Sequence, residues 1–264
     1  NILNNITQKE SLSFKQFKEL MKFLNMSIDE YTCNILIFPE LSIPLQCLEL
    51  LQDFSRRKNI AIIGGLKHII NHYRKTYNYM VTILPFKNEL NTSDNITILR
   101  NKKYFAPSEI GFLNEHKLTI AKTNDKNYLF NWKGLYFACY DCFELADIRY
   151  RSQFKGYVDL IIACEWNKDT HYFDKIIEST TRDLHCYVAQ VNTSQFGHSK
   201  IIAPKSKDEM TMLNITGGKN NILIGNINIA DLREFHKLKH IPEKKYNYKP
   251  LPPNFPITKR LDNY

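Results

Sequence analysis

Asn34-Ile35-Leu36-Ile37-Phe38-Pro39-Glu40 is a short apolar run closed by a proline and an acid. A run of this length, apolar throughout and bounded by a breaker, reads as a buried strand with polar chemistry at its carboxyl end. A helix pattern precedes it over residues 13 to 31. Ser13 and Gln16 form a capping-box pair, and Phe14, Phe17, Met21 and Leu24 follow at helical spacing. A second helix pattern follows it, with Pro44 near the first turn and Leu48, Leu51 and Phe54 along one side.

The alternation continues outward. Ile60-Ala61-Ile62-Ile63 reads as a strand stopping at Gly64-Gly65, and Tyr79 to Leu84 and Ile96 to Leu99 as further strands. Leu135-Tyr136-Phe137-Ala138 is a strand leading into Cys139, and Val158 to Ala163 is one ending near Glu165-Trp166. Residues 170 to 184 read as a helix and Tyr187 to Val191 as a strand, and Ile222 to Ile229 alternates as a late strand would. Strands alternating with helices and then paired strands predict an α/β layered domain over residues 1–235. Residues 236–264 hold five prolines and several lysines and read as an extended C-terminal tail, placed to wrap a partner subunit or to stay solvated.

Composition narrows the class. The chain has 264 residues, 43% hydrophobic and 24% charged, which suits a soluble globular protein with a substantial core. No apolar run reaches the about 18 residues of a membrane-spanning helix, and no secretory pattern opens the chain, which begins at Asn1. The net charge of +9 has two readings: attraction to nucleic acid or another polyanion, or the Lys, Asn, Ile and Tyr usage of an AT-rich gene. The basic residues are spread along the chain rather than clustered, which favours the second. Six cysteines stand at 33, 47, 139, 142, 164 and 186, several in apolar strand-like runs. A domain of this size needs no disulfide staples, so a reducing cytoplasm is the expected compartment. Cys139 and Cys142 form a lone C-x-x-C with no second pair, so a zinc site is not expected.

Singly, the chemical candidates are ordinary. Glu40 suits the start of a helix, Cys139 a buried structural thiol, and Lys102 a basic loop. Together they form a pattern. Phe38-Pro39-Glu40, then Lys102 ahead of Tyr104-Phe105-Ala106-Pro107-Ser108-Glu109, then Ala138-Cys139-Tyr140-Asp141, resemble the three signatures of the nitrilase superfamily of carbon–nitrogen hydrolases. Ile62-Ile63-Gly64-Gly65, Tyr77-Asn78, Arg149 and Gly197-His198-Ser199-Lys200-Ile201-Ile202-Ala203-Pro204 extend the resemblance over roughly residues 14 to 230. It implies a four-layer α-β-β-α sandwich, a Glu40–Lys102–Cys139 catalytic triad supported by Glu109, and neither metal nor organic cofactor. It also implies a substrate pocket drawing on Glu165, Trp166 and Asn192, and a homo-oligomer built on dimers. The family's opening strand has no convincing counterpart in residues 1 to 12.

The residue types fit the chemistry that the resemblance implies. A thiolate is the attacking form of cysteine, a carboxylate within reach can take the thiol proton, and an ammonium offsets charge on a tetrahedral intermediate. The products are a thioester or thioimidate on the enzyme, then the free acid. Cys142 competes with Cys139, but the motif sets the nucleophile directly before an aromatic–acid pair, which selects Cys139. Lys103 competes with Lys102, and counting back from Pro107 and Glu109 favours Lys102. Glu109 also reads as a surface loop acid. Where the family continues with a Phe-Pro-Glu step, this chain has Cys142-Phe143-Glu144-Leu145-Ala146-Asp147.

A narrower resemblance rests on three segments: Glu165-Trp166-Asn167-Lys168-Asp169, Ser179 to Tyr187, and Asn192-Thr193-Ser194. They look like the nitrilase-like domain fused behind bacterial reverse transcriptases of phage defence. That resemblance implies a longer protein and a nucleic-acid connection through a fused or partner polymerase. Two function classes are therefore carried forward. One is a thiol hydrolase of a small-molecule amide or nitrile; the other is an interaction or assembly module on the same fold, since fold does not fix function.

Overall fold

A computed structural model describes residues 13–29, 33–123, 126–238 and 247–257. The chain divides into two compact units that part at residues 125 and 126. Residues 1–12, in which the sequence offers no convincing opening strand, lie outside the described residues, as do residues 30–32, which include the last two positions of the expected first helix.

In the first unit, helix α1 spans Phe14–Asp29. Ser13 and Gln16 form the expected reciprocal pair, with Gln16 N–H donating to Ser13 Oγ at 3.2 Å and Ser13 N–H to Gln16 Oε1 at 3.4 Å. Strand β1 is Ile35–Ile37, and after a 3₁₀ turn at Leu45–Cys47 helix α2 runs from Leu48 to Lys58. The helix stops at Asn59, which takes the left-handed conformation that asparagine tolerates. Strands β2 (Ala61–Gly65), β5 (Tyr79–Lys87) and β6 (Ser93–Asn101) complete a four-stranded sheet in the order β1-β2-β5-β6. β1 and β2 are parallel, while β2–β5 and β5–β6 are antiparallel, so β1, β2 and β6 end on the same edge and β5 begins there. Leu24 of α1 and Leu51 of α2 pack on Ile62, Val81 and Ile83, fixing both helices to the sheet by apolar burial.

A small second sheet joins β3 (Ile69–Ile70), β4 (Lys75–Tyr77) and β7 (Thr119–Ile120). Helix α3, Pro107–Glu115, lies beside it through Leu113, with Phe105 and Leu118 buried in the same cluster. Pro107 at the first helical position is the sequence signal for this helix.

In the second unit the sheet order is β13-β12-β11-β10-β9-β8. The strands are β8 (Phe130–Trp132), β9 (Leu135–Asp141), β10 (Leu160–Glu165), β11 (Tyr187–Asn192), β12 (Ser199–Ile202) and β13 (Thr211–Ile215). The central strands β9, β10 and β11 are parallel, and all six residues of β10 are buried, which is why they read as near-continuous apolar runs. Helix α4 is the short Ile148–Ser152, α5 is Thr170–Leu184 and α6 is Lys207–Met210. α5 buries Phe173, Ile177 and Leu184 and ends at His185 in the left-handed region.

Two expectations for the last third of the chain are corrected. Residues 222–229 form no strand. β12 and β13 complete the sheet instead, and Gly225 lies so close to the Leu213 and Ile201 side chains that a Cβ there would collide with the Cδ1 atoms of both. The segment thus crosses the side chains of β12 and β13 rather than pairing with an edge, and Ile229 opens helix α7 (Ile229–Lys237), capped by Asn228. Arg233 of α7 holds the buried Asp159 through two bonds of 2.6 and 3.0 Å.

The second correction concerns the expected extended tail. Residues 247–257 are extended but packed. Tyr248 pairs with Lys205 in an isolated bridge, its hydroxyl lies 2.8 Å from that of Tyr187, and Lys155 Nζ donates to the Pro253 carbonyl at 2.7 Å. His185 Nε2 lies 2.7 Å from the Lys249 carbonyl and so carries the proton, which leaves Nδ1 to accept from His236 Nε2 at 2.9 Å. Tyr248 and Phe255 supply the aromatic surface that docks this segment against His185, Phe235 and His236.

Gly65 carries the tightest approach near the candidate site. A Cβ there would lie 2.6 Å from both Glu40 Cα and Leu41 N, which are backbone atoms that cannot step aside. Gly65→Ala is expected to lose about 1–3 kcal/mol of stability, read as a lower urea midpoint. An unchanged midpoint would mean that the Glu40 turn is not pinned to β2.

Candidate active site

Glu40 lies three residues beyond β1, in a turn clamped to the end of β2. Phe38 N–H donates to Ile63 O, Gly65 N–H to Pro39 O, and Ser42 and Ile43 N–H both to Gly65 O. Lys102 directly follows β6, its N–H donating to Asn78 O at 2.8 Å. The sheet order therefore delivers both residues to the same edge of the first unit.

Lys102 is fully buried. Its Nζ lies 2.8 Å from Glu40 Oε1 and 2.9 and 2.8 Å from the two Glu109 oxygens. Glu40 is 2% exposed, and Glu109 is 18% exposed. Glu109 reaches back to accept from the Ala106 N–H at 2.7 Å, so one carboxylate both starts α3 and holds the ammonium. The surface-loop reading of Glu109 is thereby replaced: Pro107 starts a helix whose first turn carries this acid. Burial pushes the Glu40 carboxyl above its ordinary value; the nearby Lys102 ammonium opposes that shift and the Glu109 charge reinforces it. A carboxylate displaced toward neutrality is well matched to accepting and returning a proton.

Asn78 is a site residue that the sequence reading passes over. Its Nδ2 donates to Glu40 Oε1 at 2.7 Å, its N–H to Asn101 Oδ1 at 2.9 Å, and its carbonyl accepts from Lys102 N–H. One buried amide therefore fixes the carboxylate by its side chain and the lysine by its backbone. The Tyr77-Asn78 pair just ahead of β5 is the signal that marks it.

Cys139 belongs to the second unit. It sits in β9 opposite Ile162 of β10, is 8% exposed, and is followed by a 3₁₀ turn at Cys142–Ala146. Cys142, also buried, has φ of 29°, a positive value that costs a non-glycine residue strain. The turn is held at both ends: Asp141 N–H donates to Glu144 Oε2 at 3.0 Å, and buried Arg151 Nη1 donates to the Leu145 carbonyl at 2.9 Å. Arg149, the arginine expected after the cysteine motif, is exposed; Arg151, two residues on, supports the turn.

Glu165 and Asn192 are register partners at the carboxyl ends of β10 and β11, the edge where sites form on parallel sheets. Glu165 is buried and accepts from Gln190 Nε2 at 2.8 Å. Asn192 binds the Asn167 backbone through Oδ1 and Nδ2, at 3.0 and 2.7 Å, and accepts from Thr193 N–H, so its amide braces the turn after β10. Trp166 is half-buried, edge-on to Phe196 with ring centroids 5.6 Å apart. The structure thus groups Glu40, Lys102 and Glu109 in the first unit, and Glu165, Trp166 and Asn192 at the carboxyl edge of the sheet in the second, where Cys139 lies further back in β9, opposite Ile162.

Among the described residues no group of three or more His, Cys, Asp or Glu side chains is arranged to hold a metal ion. None of the described helices is long and apolar enough to cross a membrane.

No family model and no curated protein matches the sequence. Solved structures do match the fold. A CN-hydrolase superfamily protein of Xanthomonas campestris, with an arsenic adduct in its active site, aligns with a TM-score of 0.62 at 14% identity, covering 84% of this chain and 87% of that one. A cysteine-to-serine mutant of the Nesterenkonia amidase from the nitrilase superfamily aligns at 0.56 and 13% identity, covering 79% and 85%. A second mutant of that amidase, carrying the acetamide moiety of fluoroacetamide on its active-site cysteine, aligns at 0.55 and 12%, covering 79% and 84%. At these identities the likeness establishes the fold: the chain has the α/β fold of the nitrilase-type carbon–nitrogen hydrolases.

Proposed function

We propose that this chain is a thiol-dependent hydrolase of a non-peptide amide or nitrile C–N bond, working through an acyl group carried on Cys139. The observation that carries the reading is the buried Lys102 ammonium held between the Glu40 and Glu109 carboxylates. Burying three ionisable groups costs several kcal/mol per ion before pairing offsets it, an outlay that a structural role alone rarely justifies. The fold is shared with a solved amidase whose active-site cysteine carries the acetamide moiety of fluoroacetamide.

In this reading Glu40 takes the Cys139 thiol proton and the thiolate attacks the substrate carbon. The negative charge that develops on the substrate oxygen or nitrogen is offset by Lys102. For an amide, the proton held by Glu40 passes to the departing nitrogen, leaving a thioester; for a nitrile it passes to the nitrogen of a thioimidate, to which a water then adds so that ammonia leaves and the thioester forms. Water, deprotonated by Glu40, then attacks the thioester and releases the acid and the thiol. Glu109 and Asn78 keep Lys102 and Glu40 in register throughout. The test is a panel of small amides and nitriles followed by ammonia release and intact-mass spectrometry. An acyl adduct on Cys139 during turnover is expected; absence of both turnover and adduct across the panel would refute the reading.

The narrower assignment, a domain that follows a reverse transcriptase in an antiviral-defence protein, is supported by the segments around Glu165, Ser179 and Asn192, and the net charge of +9 suits a nucleic-acid setting. A gene with no polymerase region beside this one would dispose of it. On the rival reading, an assembly module for a nucleic-acid enzyme, binding to RNA or DNA would fall steeply with salt while the amide panel stayed silent.

A further inference from the structure

Leu66 to Asn78 and His116 to Asn124 contain no aspartate or glutamate, and together they carry Lys67, Arg74, Lys75, Lys117 and Lys122; Glu115 and Asp125 flank the second segment. The two segments lie far apart in the chain, so their charge reads as spread. The small sheet brings them together. Lys75 of β4 is the register partner of Thr119 of β7, and both are exposed. Arg74, in the β3–β4 turn, donates from Nε to the Lys117 carbonyl at 2.8 Å and from Nη2 to the His116 carbonyl. Thr119 N–H donates to the Arg74 carbonyl at 3.0 Å. Carbonyl partners satisfy the guanidinium's hydrogen bonds but leave its charge uncancelled. Arg74, Lys75 and Lys117 form no ion pair among the described residues.

The turn itself is braced. Asn71 Oδ1 accepts from the Tyr73 and Lys75 N–H groups, each at 3.0 Å, and Asn71 N–H donates to the Lys75 carbonyl at 3.0 Å. Arg74 and Lys117 both hold positive φ, 60° and 55°, where glycine or asparagine is the easier choice. A basic side chain at each is not what the backbone asks for, which points to a use for the charge. At the tip Tyr73 is 71% exposed, its ring tilted against that of the exposed His72 with centroids 3.8 Å apart. Tyr73 therefore buries little of its ring in the fold. A large aromatic ring stands out of a rigid turn among uncancelled cations.

We propose that this pair of turns, Asn71–Lys75 with His116–Lys117, is a binding surface for single-stranded nucleic acid. Tyr73 stacks on an unpaired base, and Arg74, Lys75 and Lys117 lie against the adjoining phosphates. Every base presents a π-face, so such stacking tolerates any sequence, while the phosphates supply the salt-dependent part of the affinity. An acidic polypeptide would meet the charge but leave Tyr73 without a flat partner, and a duplex keeps its bases stacked on one another. The surface belongs to the first unit alone, and the inference does not depend on the hydrolase reading.

The test is fluorescence anisotropy of the full chain with a labelled single strand of about 12 nucleotides, as DNA and as RNA, across a salt series. Phosphate contacts by the three cations predict that log Kobs falls against log salt with a slope of about −2. Lys75→Gln and Lys117→Gln should each make that slope shallower by about 0.7. Tyr73→Ala is expected to weaken binding roughly ten- to a hundredfold at an unchanged slope, and Tyr73→Phe to keep the affinity. A direct readout needs no variant: an iodouracil-containing strand, irradiated on the unmodified chain, should cross-link to the peptide that holds Tyr73. No binding of either strand at low salt, or a cross-link confined to other peptides, would overturn the inference. So would a Tyr73→Ala protein that binds as the unmodified one does. A duplex bound as tightly as the single strand, or poly-glutamate displacing the strand as well as unlabelled strand does, would make this a face for charge alone and end the proposal.

Discussion

Replacing Lys102 by methionine is expected to lower the unfolding free energy of the protein by about 3–5 kcal/mol at pH 7, the usual consequence of removing one partner from a buried ion pair. Lys102 is fully buried, with two carboxylates within 2.9 Å, so its removal leaves Glu40 and Glu109 facing each other without a cation. The deficit should shrink as the pH is lowered. Burial already places the Glu40 carboxyl above its ordinary 4.5, and Lys102 is the group that pulls it down, so its loss raises it further. A carboxyl raised in the folded state adds stability below its unfolded value, and that contribution is lost as pH climbs through the folded value. Urea unfolding of the variant should thus show a larger gap from the unmodified protein at pH 7 than at pH 5. Adding Glu40→Gln should recover part of the loss at pH 7. Equal midpoints for Lys102→Met and the unmodified protein at pH 7 would show that the cluster is not an energetic feature of the fold.

Cys139→Ala is expected to remove turnover by a factor on the order of 10⁴ or more, as loss of a nucleophile does where the other groups act through it. Stability should move little by comparison, because the change deletes one sulfur atom at a site that is 8% exposed. Cys142→Ala separates the rival thiol. It lies in the strained turn after β9, and its replacement should leave the acyl adduct on Cys139 in place. Initial rates and intact masses of both variants distinguish the cases. Retention of the adduct in Cys139→Ala and its loss in Cys142→Ala would transfer the role to Cys142.

Much of the fold is legible because its deepest strands are apolar on both sides. The runs at 61–65, 160–165 and 187–192 announce themselves without any partner being known, and the half-buried run at 35–37 does so by the same apolar pattern. Helix α5 is equally plain, since its buried Phe173, Ile177 and Leu184 repeat at helical spacing. The edges are less legible. Residues 222–229 alternate as a strand does, yet Gly225 is pressed on Leu213 and Ile201, and alternation cannot tell pairing from crossing. The proline-rich end reads as an extended tail because proline counts against regular structure. Tyr248 and Phe255, the residues that anchor it, carry no period to detect.

The candidate site divides in the same way. Glu40, Lys102 and Cys139 stand out through motif spacing, and Glu109 through its place after Pro107. Asn78 is fainter: the Tyr77-Asn78 pair ahead of β5 marks its place, but nothing in the spacing marks it as the partner of Glu40. That role follows from its 2.7 Å bond to the Glu40 carboxylate.

The proposed hydrolase gives Glu40 the role of base to Cys139. The rate of iodoacetate alkylation at Cys139, followed by peptide mass spectrometry across pH 5 to 9 in the unmodified chain and in Glu40→Gln, addresses it directly. Base assistance of this kind is worth about 10²–10⁴-fold, so the substitution should slow alkylation near neutral pH by that order and move the onset of reactivity to higher pH. Superimposable rate profiles for the two proteins would mean that the carboxylate and the sulfur do not act on one another, and the account would fail.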